Sequence, residues 1–367
     1  MEFSGERARR DAMEQEAQAI LPDYVYGYFS AAADDSEAVR DAAAQWDAVR
    51  FRPRVLTGWS SRLTNTSVLG VPLQTPILAA PMAQQNAATP LGEIATARAV
   101  RRVGSLLGVS TNTAIPFEQI AAEGVPWWFQ VYVMKDRGLS NALVERAAVA
   151  GAKALILTVD TTRLAASKLM IDPQLWPESP RKARLANLLQ EDLAGLPEDA
   201  TNGATDLSLE VISNLRERAG LDVVVKGILR ADDARRAVDA GASGIVVSTH
   251  GGRRLGKSVT SIQALPEVVQ AVGGECEVYV DSGIRSGDHA ATALAMGAQA
   301  VFVGRPLLWG LSVGGEQGAT QVLEQLTEDL GVVLAAIGVD SIRELTPDLL
   351  WPASTSHDST PCARCLL

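Results

Sequence analysis

At 367 residues and 47% hydrophobic composition, the chain can bury a substantial core, as one large barrel or as two average domains, and one large domain is favoured. A formal net charge of -10 argues against nucleic-acid and anionic-membrane partners, since both need clustered positive charge. No apolar run approaches bilayer-spanning length, and the charged opening stretch 1–18 lacks the apolar core of a secretion signal, so the expectation is a cytoplasmic protein.

Residues 1–71 read as an N-terminal helical flank, with a helical stretch at 34–46 and a basic turn at Arg50-Phe51-Arg52-Pro53-Arg54. Over 72–350 an apolar strand followed by a polar or glycine-bearing tip recurs eight times: 77–81, 106–110, 129–132, 155–160, 223–227, 245–250, 278–283 and 301–305. Alanine-rich amphipathic stretches stop at Gly151-Ala152, Gly241-Ala242 and Gly297-Ala298, each a few residues before a strand, which is where glycine ends a helix. Helix, glycine and strand repeated in this way predict βα units, and eight of them make an α/β fold, the (β/α)8 TIM barrel.

The stretch 164–205, after the fourth strand, is rich in Pro, Arg and Asn and only weakly periodic. Loops this long are uncommon unless functional or disordered, which makes it a candidate lid. Residues 351–367 read as a disordered tail. It carries Cys362 and Cys365 as a C-x-x-C without a second ligand pair, and Cys276 reads as a reduced thiol near a strand, so neither a disulfide framework nor a metal site is expected.

In a TIM barrel all strand tips face one mouth, so the tips form one constellation. The run 245–254 ends a buried strand in His250, two glycines and Arg253, the pattern of a general base beside an anion clamp. The tips 281–287 and 304–306 combine glycines with Arg285 and Arg305 after strands seven and eight, where barrels bind phosphate. Ser110, Gln130 and Thr158 supply uncharged hydrogen-bonding groups, and Lys226 adds a cation for negative charge that develops during reduction. Flavin mononucleotide fits such a set; a Schiff base or a plain salt bridge at Lys226 stays open.

These residues bring a family into view. From about residue 21 to 345 the chain resembles the FMN-dependent 2-hydroxy acid oxidases and dehydrogenases, such as glycolate, lactate and mandelate oxidases. The carrying segments include Ala80-Pro81-Met82-Ala83, Phe129-Gln130-Val131-Tyr132, Leu157-Thr158-Val159-Asp160, Val225-Lys226-Gly227, the run from Ser248 to Arg253, the run from Asp281 to Arg285, and Gly304-Arg305-Pro306. The resemblance implies FMN as cofactor. It would lie with Pro81, Met82 and Ala83 near N5 of the ring, Ser110, Gln130 and Thr158 at the pyrimidine edge, and Lys226 near N1 and O2. Ser248 and Asp281 would hold the ribityl chain, and Gly283, Arg285, Gly304 and Arg305 the phosphate. The resemblance also implies His250 as base, Asp160 as the carboxylate that orients it, Arg253 as the clamp for a substrate carboxylate, and Tyr28 and Tyr132 as hydrogen-bond partners of substrate.

The activity so implied is oxidation of the α-carbon of a 2-hydroxy acid, or of a related biosynthetic intermediate, to the 2-oxo product. Flavin N5 accepts hydride or electrons and O2, or another electron acceptor, reoxidises the flavin; removal of the hydroxyl proton or of the α-proton by His250 are both open. Asp160 should raise the pKa of His250 and Arg253 should lower it. Alternatives are an FMN barrel enzyme of another reaction type, such as a decarboxylating monooxygenase, 2-amino acid oxidase or isomerase, or a non-catalytic FMN-binding protein. The family further implies a homo-oligomer, a tetramer or octamer.

The departures are local. Ser167 stands where the family has an arginine, which removes a charge-assisted bond to an anion worth ~1.5–3 kcal/mol. Lys168, Arg181 and Arg184 are candidates to replace that charge. Thr249, Arg254, Gly256, Ala32 and Asn112 also differ, and together they point to a pocket reshaped for a bulkier or less simply charged substrate, with a degenerate, slow enzyme as the alternative.

Overall fold

Eight strands, numbered here β1–β8 in chain order, lie parallel and close on themselves: Ile77–Met82, Leu107–Ser110, Trp127–Val131, Ala154–Thr158, Asp222–Ile228, Gly244–Val247, Glu277–Val280 and Ala300–Val303. Each strand pairs with its sequence neighbours, and β8 returns to β1 with Val301 opposite Ile77. The computed structural model describes residues 6–33, 37–58, 60–161, 185–197 and 199–351. β2, β3, β4, β6 and β8 are buried at every position, the consequence of helices outside and packed side chains inside. Rings from three strands fill the interior: Trp128 of β3 meets Tyr279 of β7 at 5.4 Å and Phe302 of β8 at 6.2 Å, contacts that only strands facing across a barrel make.

The fold is the expected α/β barrel, but several strands are shorter than their apolar runs suggest. β4 stops at Thr158, β6 at Val247 and β7 at Val280, so Asp160, His250 and Asp281 stand beyond the ladder. The chain turns there because side chains take over the backbone groups. His250 and Ser282 adopt left-handed φ of 55° and 72°. The Ser282 hydroxyl accepts from the amides of Thr249 (3.2 Å) and Gly251 (2.9 Å), fixing the short turn His250–Gly252.

The flank builds against the mouth. Helices α1 (Glu6–Ile20), α2 (Asp23–Ser30) and α3 (Glu37–Ala48) contribute Ala17, Val25, Phe29 and Trp46 to the same apolar core as the barrel. Tyr26 of α2 stacks on Trp309 at 5.4 Å and Phe29 meets the same ring edge-on at 6.4 Å, and Trp46 of α3 donates its indole N–H to the Ser282 carbonyl at 3.1 Å. The opposite end is covered by a hairpin, Thr66–Val68 with Val71–Leu73, whose Leu69 amide is bound by Glu277 at the start of β7. Arg50–Phe51 pairs with Leu350–Trp351, and the C-x-x-C at Cys362 and Cys365 lies outside the described residues. Among those described, no helix is long and apolar enough to cross a membrane, and Cys276 is a free, partly buried thiol next to β7.

Candidate active site

A cavity of about 650 Å³ opens at the carboxyl ends of the strands. Its most ordered feature is a histidine–carboxylate pair. Asp160, beyond β4, places Oδ1 at 2.8 Å from His250 Nδ1, with both side chains largely buried. A carboxylate only accepts, so Nδ1 carries the hydrogen and the lone pair of neutral imidazole sits on Nε2. Nε2 faces the cavity, 3.4 Å from the Tyr132 hydroxyl and 3.4 Å from Arg254 Nη2.

Backbone on β5 makes room for the pair. Gly227 has φ +106°, and a Cβ on it would stand 2.7 Å from Asp160 Cβ and 2.8 Å from its Cγ. The β5–β6 register shifts between Lys226 and Ile228 at this point, a bulge that aims Lys226 and leaves the space Asp160 occupies.

Electrostatics set the protonation states. Burial pushes the His250 pKa below its ordinary value; Asp160 opposes this, whereas Arg254 and Lys226 reinforce it. The cation expected to lower it was Arg253, but Arg254 and Lys226 take that part, and Arg253, which also lines the cavity, is engaged with backbone. Its Nη1 donates to the carbonyls of Tyr28 (2.7 Å) and Ala31 (3.2 Å), and its guanidinium lies 5.0 Å from the Tyr28 ring centre. Burial would raise the Asp160 pKa, but His250, Lys226 and Arg254 outweigh it and hold the group well below the usual carboxylate range.

Along the other side of the cavity the uncharged groups form a chain. Ser110 donates to Gln130 Oε1 at 3.2 Å, and Gln130 Nε2 donates to Thr158 Oγ1 at 3.0 Å. Lys226 is buried, donates to Ser248 Oγ at 2.7 Å and pairs with Asp281 Oδ2 at 2.8 Å. Burial disfavours its charge, yet Asp281 and Asp160 prevail and hold its pKa above the ordinary lysine value. Pro81, Met82 and Ala83 line the wall at the end of β1. Ser248 does not reach the cavity: it sits fully buried behind the wall, accepting from Lys226 and from the His250 amide at 3.0 Å.

Beyond β7 and β8 the wall is cationic, with Gly283, Arg285, Gly304 and Arg305 lining it. Arg305 opens the helix Arg305–Ile337 and donates to the carbonyls of Phe29 (3.1 Å), Gly251 (2.8 Å) and Ala31 (2.7 Å), around the carbonyl end of α2. Burial, with Arg285 and Arg253 close by, pushes its pKa down to about 9, so it remains charged in a region of accumulated positive potential. An anion relieves such repulsion.

All the candidate residues therefore line one cavity except Asp160 and Ser248, which stand directly behind it. Other wall residues were not singled out as site residues from sequence. Arg254 was noted only as a change after the clamp. Lys135 and the run from Asn202 to Thr205 also line the cavity, because the Ala204 amide bonds the Val133 carbonyl (2.8 Å) and the Lys135 amide bonds the Asn202 carbonyl (2.7 Å). The end of the 164–205 insertion is thus tied to the mouth, and its polar composition was the available signal. Ser167, Lys168, Arg181 and Arg184 lie outside the described residues.

The model of the FMN-dependent dehydrogenase family matches residues 17–352. An L-lactate oxidase of Nostoc sp. is 41% identical over 360 residues, covering 92% of this chain and 96% of the relative. The 2-hydroxyacid oxidase 1 of Homo sapiens is 37% identical over 351 residues, covering 92% and 94%. A crystal structure of Pediococcus acidilactici lactate oxidase superposes with a TM-score of 0.83 at 32% identity, covering 93% of each chain.

Proposed function

The chain belongs to the family of FMN-dependent dehydrogenases and 2-hydroxy acid oxidases, and from that premise we propose that it binds FMN and oxidises a small 2-hydroxy acid to the 2-oxo acid, with O2 as electron acceptor. The observation that carries the proposal is the His250–Asp160 pair, with Nε2 open to a cavity whose far wall is cationic.

The donor set suits FMN. Arg285, Arg305 and the glycines beside them would take the phosphate, and the half-buried arginine cluster along that wall is the feature that asks for a dianion. Asp281 would meet the polyol chain, with Ser248 supporting Lys226 from behind. Ser110, Gln130 and Thr158 offer donors and acceptors of the kind a pyrimidine edge needs, and Lys226 offers a fixed positive charge where the ring would gain electron density. The walls at Pro81, Met82 and Ala83 would face the ring. When bound, FMN supplies a two-electron acceptor that no side chain provides.

The residues of the chain handle the proton and the anion. His250, neutral at working pH because burial, Arg254 and Lys226 hold its pKa down, receives the substrate proton at Nε2. Asp160 keeps Nδ1 protonated and stabilises the imidazolium that results; proton transfer to a base so positioned is typically worth ~10²–10⁴-fold. Tyr132 lies next to Nε2, and Tyr28 and Arg253 line the same end of the cavity, where a hydroxyl and a carboxylate would be held.

The test is His250→Ala. The variant should purify with its FMN, because base and phosphate residues come from different strands, and should lose substrate-driven flavin reduction by at least ~10²-fold. Reduction at the parent rate would leave His250 a structural residue and refute the proposal.

A further inference from the structure

Two arginines follow the His250 turn, and they diverge. Arg253 is engaged with backbone carbonyls of α2 and the Tyr28 ring. Arg254 lines the cavity with Nη2 at 3.4 Å from His250 Nε2, and its Nε is buried with no hydrogen-bond partner among the described residues. A guanidinium offers donors in a planar fork that matches a carboxylate. Here part of that fork lacks an acceptor, and the neighbouring Nε2 has a single lone pair that the substrate hydroxyl needs. In a 2-hydroxy acid the hydroxyl and the nearer carboxylate oxygen are about one hydrogen-bond length apart, which is also the spacing of Nε2 and Arg254 Nη2.

Resting on the 2-hydroxy acid reading above, we infer that Arg254 is a second cationic ligand for the substrate carboxylate, alongside Arg253, and makes the pocket selective for anionic over neutral substrates. The fork engages the carboxylate while the adjacent hydroxyl approaches His250 Nε2. Binding of the anion then takes up the orphaned Nε donor and draws Arg254 off the lone pair that must accept the proton. The same charge adds to the burial that holds the His250 pKa down before substrate arrives. The ionisable groups facing His250 are Asp160, Lys226, Tyr132 and Arg254, so removal of Arg254 leaves Asp160 opposed by one cation fewer.

The experiment compares holoenzyme with Arg254→Gln and Arg254→Lys, using lactate, methyl lactate and the unreactive dianion oxalate as probes. Arg254→Gln should weaken oxalate binding, read from the absorbance of the oxidised flavin, by about 10- to 100-fold, the size of a lost charge-assisted hydrogen bond. It should lower kcat/KM for lactate to a similar degree while methyl lactate changes by less than about three-fold. The acid limb of the kcat/KM profile should move up by about one pH unit, as expected when a neighbouring cation is removed. Arg254→Lys, which keeps the charge without the fork, should fall between parent and Arg254→Gln. An unchanged lactate-to-ester ratio, or an unchanged oxalate Kd, overturns the inference. If no 2-hydroxy acid reduces the parent flavin, the functional reading falls instead, and oxalate binding still decides whether Arg254 holds a carboxylate.

Discussion

Replacing Asp160 with asparagine isolates the pairing on which the proposed chemistry depends. The Nδ1 to Oδ1 distance is 2.8 Å between two largely buried groups, the geometry of a charge-assisted hydrogen bond. Such a bond is worth ~1.5–3 kcal/mol, so losing the support it gives an imidazolium slows proton transfer ~10- to 100-fold. A second effect adds to this: the amide can turn its NH2 toward Nδ1, which moves the ring hydrogen to Nε2 and removes the accepting lone pair. The combined loss expected in anaerobic stopped-flow flavin reduction is ~10²–10⁴-fold, with FMN content unchanged. The pH profile carries an independent sign. Asp160 is the group that raises the His250 pKa against burial, so the acid limb should move to lower pH as the plateau falls. A plateau within about three-fold of the parent, or a limb moved upward, would refute the dyad.

Acid stability should follow the same carboxyl: its folded pKa is held below the unfolded value near ~4, so its contribution is full above that pH and disappears as pH falls through the folded value. Asp160→Asn should therefore lose less stability than the parent between pH ~5 and ~2, measured by unfolding midpoints. Gly227→Ala should cost ~1–2 kcal/mol for a non-glycine at left-handed φ and push Asp160 aside, so thermal melts and flavin reduction should both decline. Arg285→Ala combined with Arg305→Ala should weaken FMN binding, measured by flavin fluorescence titration, more than it slows reduction per bound flavin. Ser167→Arg should speed flavin reduction by glycolate and lactate and slow it for mandelate if the sequence departure reflects a pocket for a larger substrate.

Much of this was legible in the chain because a parallel strand buried on both faces leaves a continuous apolar run, and a polar or glycine-bearing tip ends it abruptly. The run through Val247 to His250 and the run through Val280 to Arg285 announce both the strand and the residues that follow it. The ends of the strands were less legible, because His250 and Ser282 leave the ladder at left-handed φ, in turns that the Ser282 hydroxyl ties together. Which of two adjacent arginines stands beside His250 Nε2 could not be read from their order. It depends on the positive φ at His250 and on carbonyls of α2 that arrive from more than two hundred residues away. Ser248 carries a polar group to a strand tip yet sits behind the wall, because Lys226 needs an acceptor there. The contribution of Asn202 to Thr205 arises from pairing with the loop after β3, a long-range contact with no periodicity to mark it.

The most direct measurement is an anaerobic titration of the purified protein with glycolate, lactate and mandelate, followed by admission of air and identification of the flavin released on denaturation. The account predicts bleaching by at least one of these acids, formation of its 2-oxo acid in stoichiometric amount, return of the oxidised spectrum with O2, and FMN in the supernatant. Release of FAD, or conversion of substrate without any net reduction of the flavin, would contradict it.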